Sequence, residues 1–168
     1  DMNAETQAML APLFKRIKQG ADPEALLGML AELPDEALQF TSNFDDWTVA
    51  RIAHHLVGVS GRLHARAIES AMPVDLDVPT TAADFKVLAA TCWESDSALI
   101  ELAGQPDREC TFDLFGKTET AHRSVLLAQA VHHSQEHRVQ IAGVLASNGM
   151  NVINLDKLSL WYFNSVLK

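Results

Sequence analysis

Apolar residues recur at helical intervals along most of the chain, and the breaks between them carry helix-boundary chemistry. Residues 5–19 place Met9, Leu10, Leu13, Phe14 and Ile17 at the spacing of an amphipathic helix. Gly20-Ala21-Asp22-Pro23 can end that helix at Gly20 and cap the next with Asp22, Pro23 standing in its first turn. Leu26, Leu27 and Leu30 carry the pattern to Pro34, so the spacing predicts one long helix kinked at Asp22-Pro23 or two helices meeting there. A second helix is expected from Trp47-Thr48 to about residue 71, with Thr48 as N-cap and Val49, Ile52, Leu56, Val59 and Leu63 as its apolar stripe. A loop rich in Pro and Asp follows over residues 73–79. Thr81 then caps a third helix in which Phe85, Leu88, Ala89, Cys92, Leu99 and Leu102 recur, and Gly104-Gln105-Pro106 stops it. Alternation over residues 110–115 predicts a short extended stretch before a turn at Gly116. The fourth helix is expected to begin around residues 118–120 and run to Ser147, where Asn148-Gly149 ends it. A last short helix, from residue 155 to about 166, carries Trp161, Tyr162 and Phe163. The pattern predicts an all-α domain of four major helices with long crossovers plus a short C-terminal helix.

Composition narrows the class. The 168 residues suffice for a single domain, 1–168, with a sizeable core. Thirteen Lys and Arg against twenty-two Asp and Glu leave a net charge of −9, which repels phosphate backbones and argues against a nucleic-acid partner. No apolar run reaches the roughly 18 residues of a membrane-spanning helix, and no signal-peptide pattern opens the chain. Met2 is the expected native start. Cys92 and Cys110 are too few for a disulfide framework or a cysteine-rich zinc module. The expectation is a cytoplasmic protein with no membrane partner.

The histidines carry the candidate chemistry. His54, His55 and His64 fall on the second helix, His132, His133 and His137 on the fourth, and His122 near the fourth's start. With Ile52 set at zero, Leu56, Val59 and Leu63 lie within about 40° of it and His55 about 60° away, while His54 points to the opposite, solvent side. On the fourth helix His133 and His137 lie along the face of Leu126, Ala130, Ile141 and Val144, and His132 faces away beside Glu136. His133 and His137 are four apart, so their Cβ atoms are about 5–6 Å from each other. Two imidazoles at that spacing can converge on one metal ion, and His55 can supply a third nitrogen from across the bundle. Three protein nitrogens leave an open coordination position, the arrangement of a catalytic metal. The bland alternative is a set of bundle histidines satisfied by hydrogen bonds or solvent. Burying three imidazoles beside an apolar core is costly unless something binds their lone pairs, which favours the metal.

Two segments resemble a known family. Trp47-Thr48-Val49-Ala50-Arg51-Ile52-Ala53-His54-His55-Leu56 is similar to the signature W-S/T-x-x-x-I/V/L-x-x-H-I/L of the DinB-like proteins, also called YfiT-like metalloenzymes. His133-Ser134-Gln135-Glu136-His137-Arg138-Val139-Gln140-Ile141 resembles their second signature, H-x-x-x-H-R-x-Q-I/L. The resemblance implies an antiparallel four-helix bundle, often homodimeric, with a divalent metal held by His55, His133 and His137. It further implies use of a low-molecular-weight thiol, such as mycothiol or bacillithiol, in S-transfer, conjugation or isomerisation of a small electrophile. A metal with an open site can lower the pKa of a bound thiol, or activate water for hydrolysis instead. A metal-dependent hydrolase is therefore the second enzyme reading. A non-catalytic, stress-associated dimer that binds a metal or small ligand is the third. Imidazole donors suit zinc, nickel, copper and iron, with zinc favoured on availability.

The remaining candidates have competing structural roles. Arg138 can pair with a substrate carboxylate, but its direction, about 100° from His137, favours an ion pair at a helix interface. Gln140, about 60° from His137 on the other side, approaches the site or bonds a neighbouring helix. Both are carried as cofactor-binding candidates. Asp45 and Asp46 suit the N-terminal dipole of the second helix, and a bond from one of them to His55 is the sharper reading. Trp47 is expected to pack where the chain enters that helix, and Cys92 to lie in the core. Trp161, Tyr162 and Phe163 cannot share one helical face, so a dimer contact is expected there.

Overall fold

The computed structural model describes residues 23–42 and 46–158. The expected helix over residues 5–19, its junction at Asp22-Pro23, Asp45 and the aromatic cluster 161–163 lie outside the described residues. The described chain forms helices α1 (Pro23–Leu30), α2 (Val49–Ile68), α3 (Phe85–Ala103) and α4 (Arg123–Ser147), with strands β1 (Glu109–Leu114) and β2 (Lys117–His122) between α3 and α4. Short 3-10 turns cover Asp35–Gln39, Ala82–Asp84 and Leu155–Leu158. No helix among these residues is long and apolar enough to cross a membrane.

Local chemistry sets the boundaries. The Thr48 hydroxyl accepts the Arg51 N–H at 3.1 Å and caps α2, as expected for a Thr ahead of an apolar stripe. The helix ends at Ile68 rather than near residue 71, because Glu69 turns left-handed at φ 57°. That conformation places the Glu69 carboxylate against the Thr111 N–H at 2.8 Å and the Arg108 guanidinium. These two bonds hold its carboxyl below the usual range. Thr81 and Asp84 form a reciprocal capping box ahead of α3.

The crossover before α4 differs from the sequence expectation. Residues 118–120, expected to open the fourth helix, lie instead in β2 (Lys117–His122), which pairs antiparallel with β1 in the register Glu109↔His122 to Leu114↔Lys117. Among the described residues the fold is therefore mostly helical with a two-stranded sheet, rather than helical throughout. Phe115 and Gly116, both at positive φ (54° and 79°), make the two-residue turn that a right-twisted hairpin favours. α4 starts only at Arg123 because Asp107, from before the hairpin, accepts the Ser124 N–H at 2.9 Å and its hydroxyl at 2.8 Å. That carboxylate supplies the helix cap that residues 118–120 do not.

Two apolar clusters share the helices in opposite order. One joins Ile52, Leu56 and Val57 of α2 to Phe85, Leu88 and Cys92 of α3, Ile141, Val144 and Leu145 of α4, and α1. The other joins Leu63 and Ala67 of α2 to Leu99 and Leu102 of α3, Leu126, Leu127 and Ala130 of α4, and Cys110 of β1. The early half of α2 thus meets the late half of α4, which makes the two antiparallel. Between the clusters lies a layer of buried polar side chains: Ser60 on α2, Asp96 on α3, Ser134 and Arg138 on α4.

Candidate metal centre

His133 and His137 fall in the polar stretch of α4, and His55 reaches them from the part of α2 that carries Ala53, Leu56 and Val57 of the first apolar cluster. On α4, residues 131–140 contribute nothing to either apolar cluster, and their inward positions are taken by His133, Ser134, His137 and Arg138. Each histidine offers one ring nitrogen, and the three nitrogens lie within 4.8 Å of one another. His133 Nε2 stands 3.1 Å from His55 Nε2. Two nitrogens bound tetrahedrally at 2.0–2.1 Å to one zinc ion stand about 3.3 Å apart, so the observed spacing suits a shared cation. The rings pack with centroids 4.3 Å apart for His133–His137 and 4.9 Å for His55–His137. Among the described residues, no carboxylate or thiol joins the trio.

The protonation pattern fits nitrogen ligation. Burial, with the nearby His137, Arg62, His54 and Arg51, lowers the His55 pKa to about 4, so its ring is neutral and carries a lone pair at neutral pH. His137 Nδ1 lies 2.7 Å from Gln140 Oε1. The amide oxygen can only accept, so Nδ1 carries the proton and Nε2 is left as the ligand atom. An outer hydrogen bond of this kind orients a ligating imidazole. The donor set therefore fits a divalent transition-metal ion.

Trp47 forms one wall of the site. Its ring stacks nearly parallel to His137 (6.3 Å, 7°) and meets His55 edge-on at 5.0 Å. The Arg51 guanidinium covers Trp47 at 4.5 Å from the ring centroid. The sequence reading assigned Trp47 to packing alone. Its place one helical turn before Arg51 and two before His55 is the signal that could have brought it to the site.

Other candidates fall elsewhere. Arg138 is 0% exposed and sits in the polar layer between helices. Asp46 is exposed ahead of α2. His132 faces outward and pairs with Glu136 at 3.2 Å, as the helical angles required. His54 does not point to solvent: its Nε2 donates to the Leu76 carbonyl at 2.6 Å, because the loop between α2 and α3 folds back over that side of α2. Cys92 and Cys110 are both buried, Cys110 with its thiol on the Ala67 carbonyl.

Comparison with known proteins agrees with this geometry. No curated protein and no solved structure matches the chain. A family model described as the DinB superfamily matches residues 21–141, a span that contains α1 through α4 as far as Ile141 and all three converging histidines. The chain belongs to the DinB superfamily.

Proposed function

We propose that His55, His133 and His137 hold a divalent transition-metal ion, zinc in the first instance, in an enzyme that joins or transfers a low-molecular-weight thiol to a small electrophile. The observation that carries this reading is the convergence of three ring nitrogens within 4.8 Å, with no fourth protein donor among the described residues. With a metal bound, the three histidines would hold a Lewis acid able to lower the pKa of an incoming thiol at neutral pH. The chain's own residues prepare that site. Burial keeps His55 unprotonated, so no proton competes for its nitrogen. Gln140 fixes the tautomer of His137. Trp47 shields one side of the trio from water, and the Arg51 cation holds the indole in place. Arg138, next to His137 on α4, is fully buried.

The same reading takes the helices as one four-helix bundle, in which α4 runs antiparallel to α2 and α3 while those two enter the apolar clusters in the same order, so the expected antiparallel arrangement holds only for α4 against its neighbours. It also takes the protein as a cytoplasmic homodimer, which sedimentation at increasing concentration tests. The functional test starts from protein purified without a metal-affinity column. Elemental analysis is expected to find about one transition-metal ion per chain. The loaded protein should consume a small electrophile only when a thiol is supplied, and His137→Ala should abolish this. Turnover that survives removal of all three histidines overturns the proposal. Turnover without thiol replaces it with hydrolysis.

A further inference from the structure

One face of α2 is unexpectedly cationic for a chain of net charge −9. Arg51, Arg62 and Arg66 all lie within about 40° of His55 around the helix axis. Arg51 is one turn before His55, and Arg62 two turns after it. The Arg62 side chain does not extend into solvent; it folds back along the helix. A Cβ placed on Gly58 would stand 3.1 Å from Arg62 Nη1, so the guanidinium lies directly over that glycine. Gly58 is only three residues past His55, about 4.5 Å along the axis, whereas the Arg62 Cα is about 10.5 Å away. The charge is thereby brought to within one helical turn of the histidine centre.

Arg62 already holds a carboxylate. Its Nη1 donates to Asp75 Oδ1 at 3.3 Å, from the loop between α2 and α3. The Asp75 side chain is 80% exposed. An exposed ion pair of this kind contributes little to stability and is readily exchanged. A guanidinium fork suits a carboxylate better than any other side chain does.

We propose that Arg62, assisted by Arg51 at the other end of the centre, binds the carboxylate of the small molecule that reacts there, and that Asp75 occupies this position until the ligand displaces it. The inference rests on the metal-centre reading above and deepens it: the thiol or the electrophile is an anionic, carboxylate-bearing molecule. Arg62 acts as a specificity residue that senses charge one turn away from the reacting atom. Asp75 is an internal competitor for the same guanidinium.

Competition has a signature that a structural ion pair lacks. Zinc-loaded full-length protein is titrated by calorimetry with mercaptohexanoate and with its uncharged primary amide. Wild type is expected to bind the acid about tenfold more tightly than the amide, the worth of one charge-assisted contact. Arg62→Gln should remove that preference while amide affinity and zinc content stay constant. Asp75→Asn should do the opposite and tighten acid binding several-fold. Equal affinities for acid and amide in wild type overturn the proposal. So does a shift in the same direction for both variants, which is what a purely structural pair produces. Elemental analysis of the same samples reads the metal centre separately. If the chain holds no zinc, the metal reading fails, and carboxylate recognition is read with succinate on metal-free protein, where Arg62→Gln must abolish binding.

Discussion

Two adjacent histidine pairs, His54-His55 on α2 and His132-His133 on α4, begin alike and end differently. In each pair the second member turns inward to the three-histidine cluster. The first members diverge: His54 donates to the Leu76 carbonyl at 2.6 Å, whereas His132 stays 72% exposed beside Glu136. The helical step of about 100° dictates the inward or outward choice. What an outward ring meets depends on chain that packs there later, and among the described residues a loop is laid across that side of α2, over His54. One residue type thus forms part of a candidate metal-binding trio, fastens a loop and pairs at the surface, according to neighbours contributed from far along the chain.

The largest test of this contrast replaces the inward rings. His55→Ala, His133→Ala or His137→Ala should each lower metal affinity more than about 100-fold, beyond what loss of an outer hydrogen bond produces, as read by competition with a chromophoric chelator. Gln140→Leu removes only the partner of His137 Nδ1. It should cost about 10–100-fold in the same assay, with the fold intact by circular dichroism. The outward rings should leave metal affinity alone. His54→Ala is expected to destabilise the protein by about 1 kcal/mol in urea melts, the worth of one side-chain hydrogen bond to backbone. His132→Ala should leave both melting and metal content unchanged.

Acid sharpens the comparison in a further way, of moderate size. Folded His55 titrates at about 4 and its unfolded counterpart at the ordinary 6.5. Between those values the unfolded chain binds more protons, so the contribution of His55 to stability is complete above pH 6.5 and fades as pH falls toward 4. Urea melts of metal-free protein across this interval should show the decline, and His55→Gln should flatten it.

Much of this architecture is legible in the sequence because its signals are local. Thr48, Thr81 and Gly104 mark real helix boundaries, and the apolar stripes of α2, α3 and α4 name core residues that the structure buries. The converging trio is legible because spacing on two long helices fixes which rings face inward. β2 is not legible. Five of its six residues are exposed, so no apolar alternation distinguishes it from the start of a helix. The cap that sets the true start of α4 comes from Asp107, sixteen residues before Arg123, where no local pattern reaches. The roles of Trp47 and of His54 likewise depend on contacts between segments, which periodicity along one helix does not encode.

Gly58 adds a last consequence. A glycine inside a helix weakens it by about 1 kcal/mol relative to alanine, and nothing in the course of α2 calls for a bend at that point. What the missing methyl group provides is a shallow seat beneath Arg62. Adding a single carbon at position 58 would stiffen the helix, and the flexible Arg62 guanidinium would have to give way by only a few tenths of an ångström. An alanine there is therefore expected to firm the scaffold while leaving the positive charge close to its present seat.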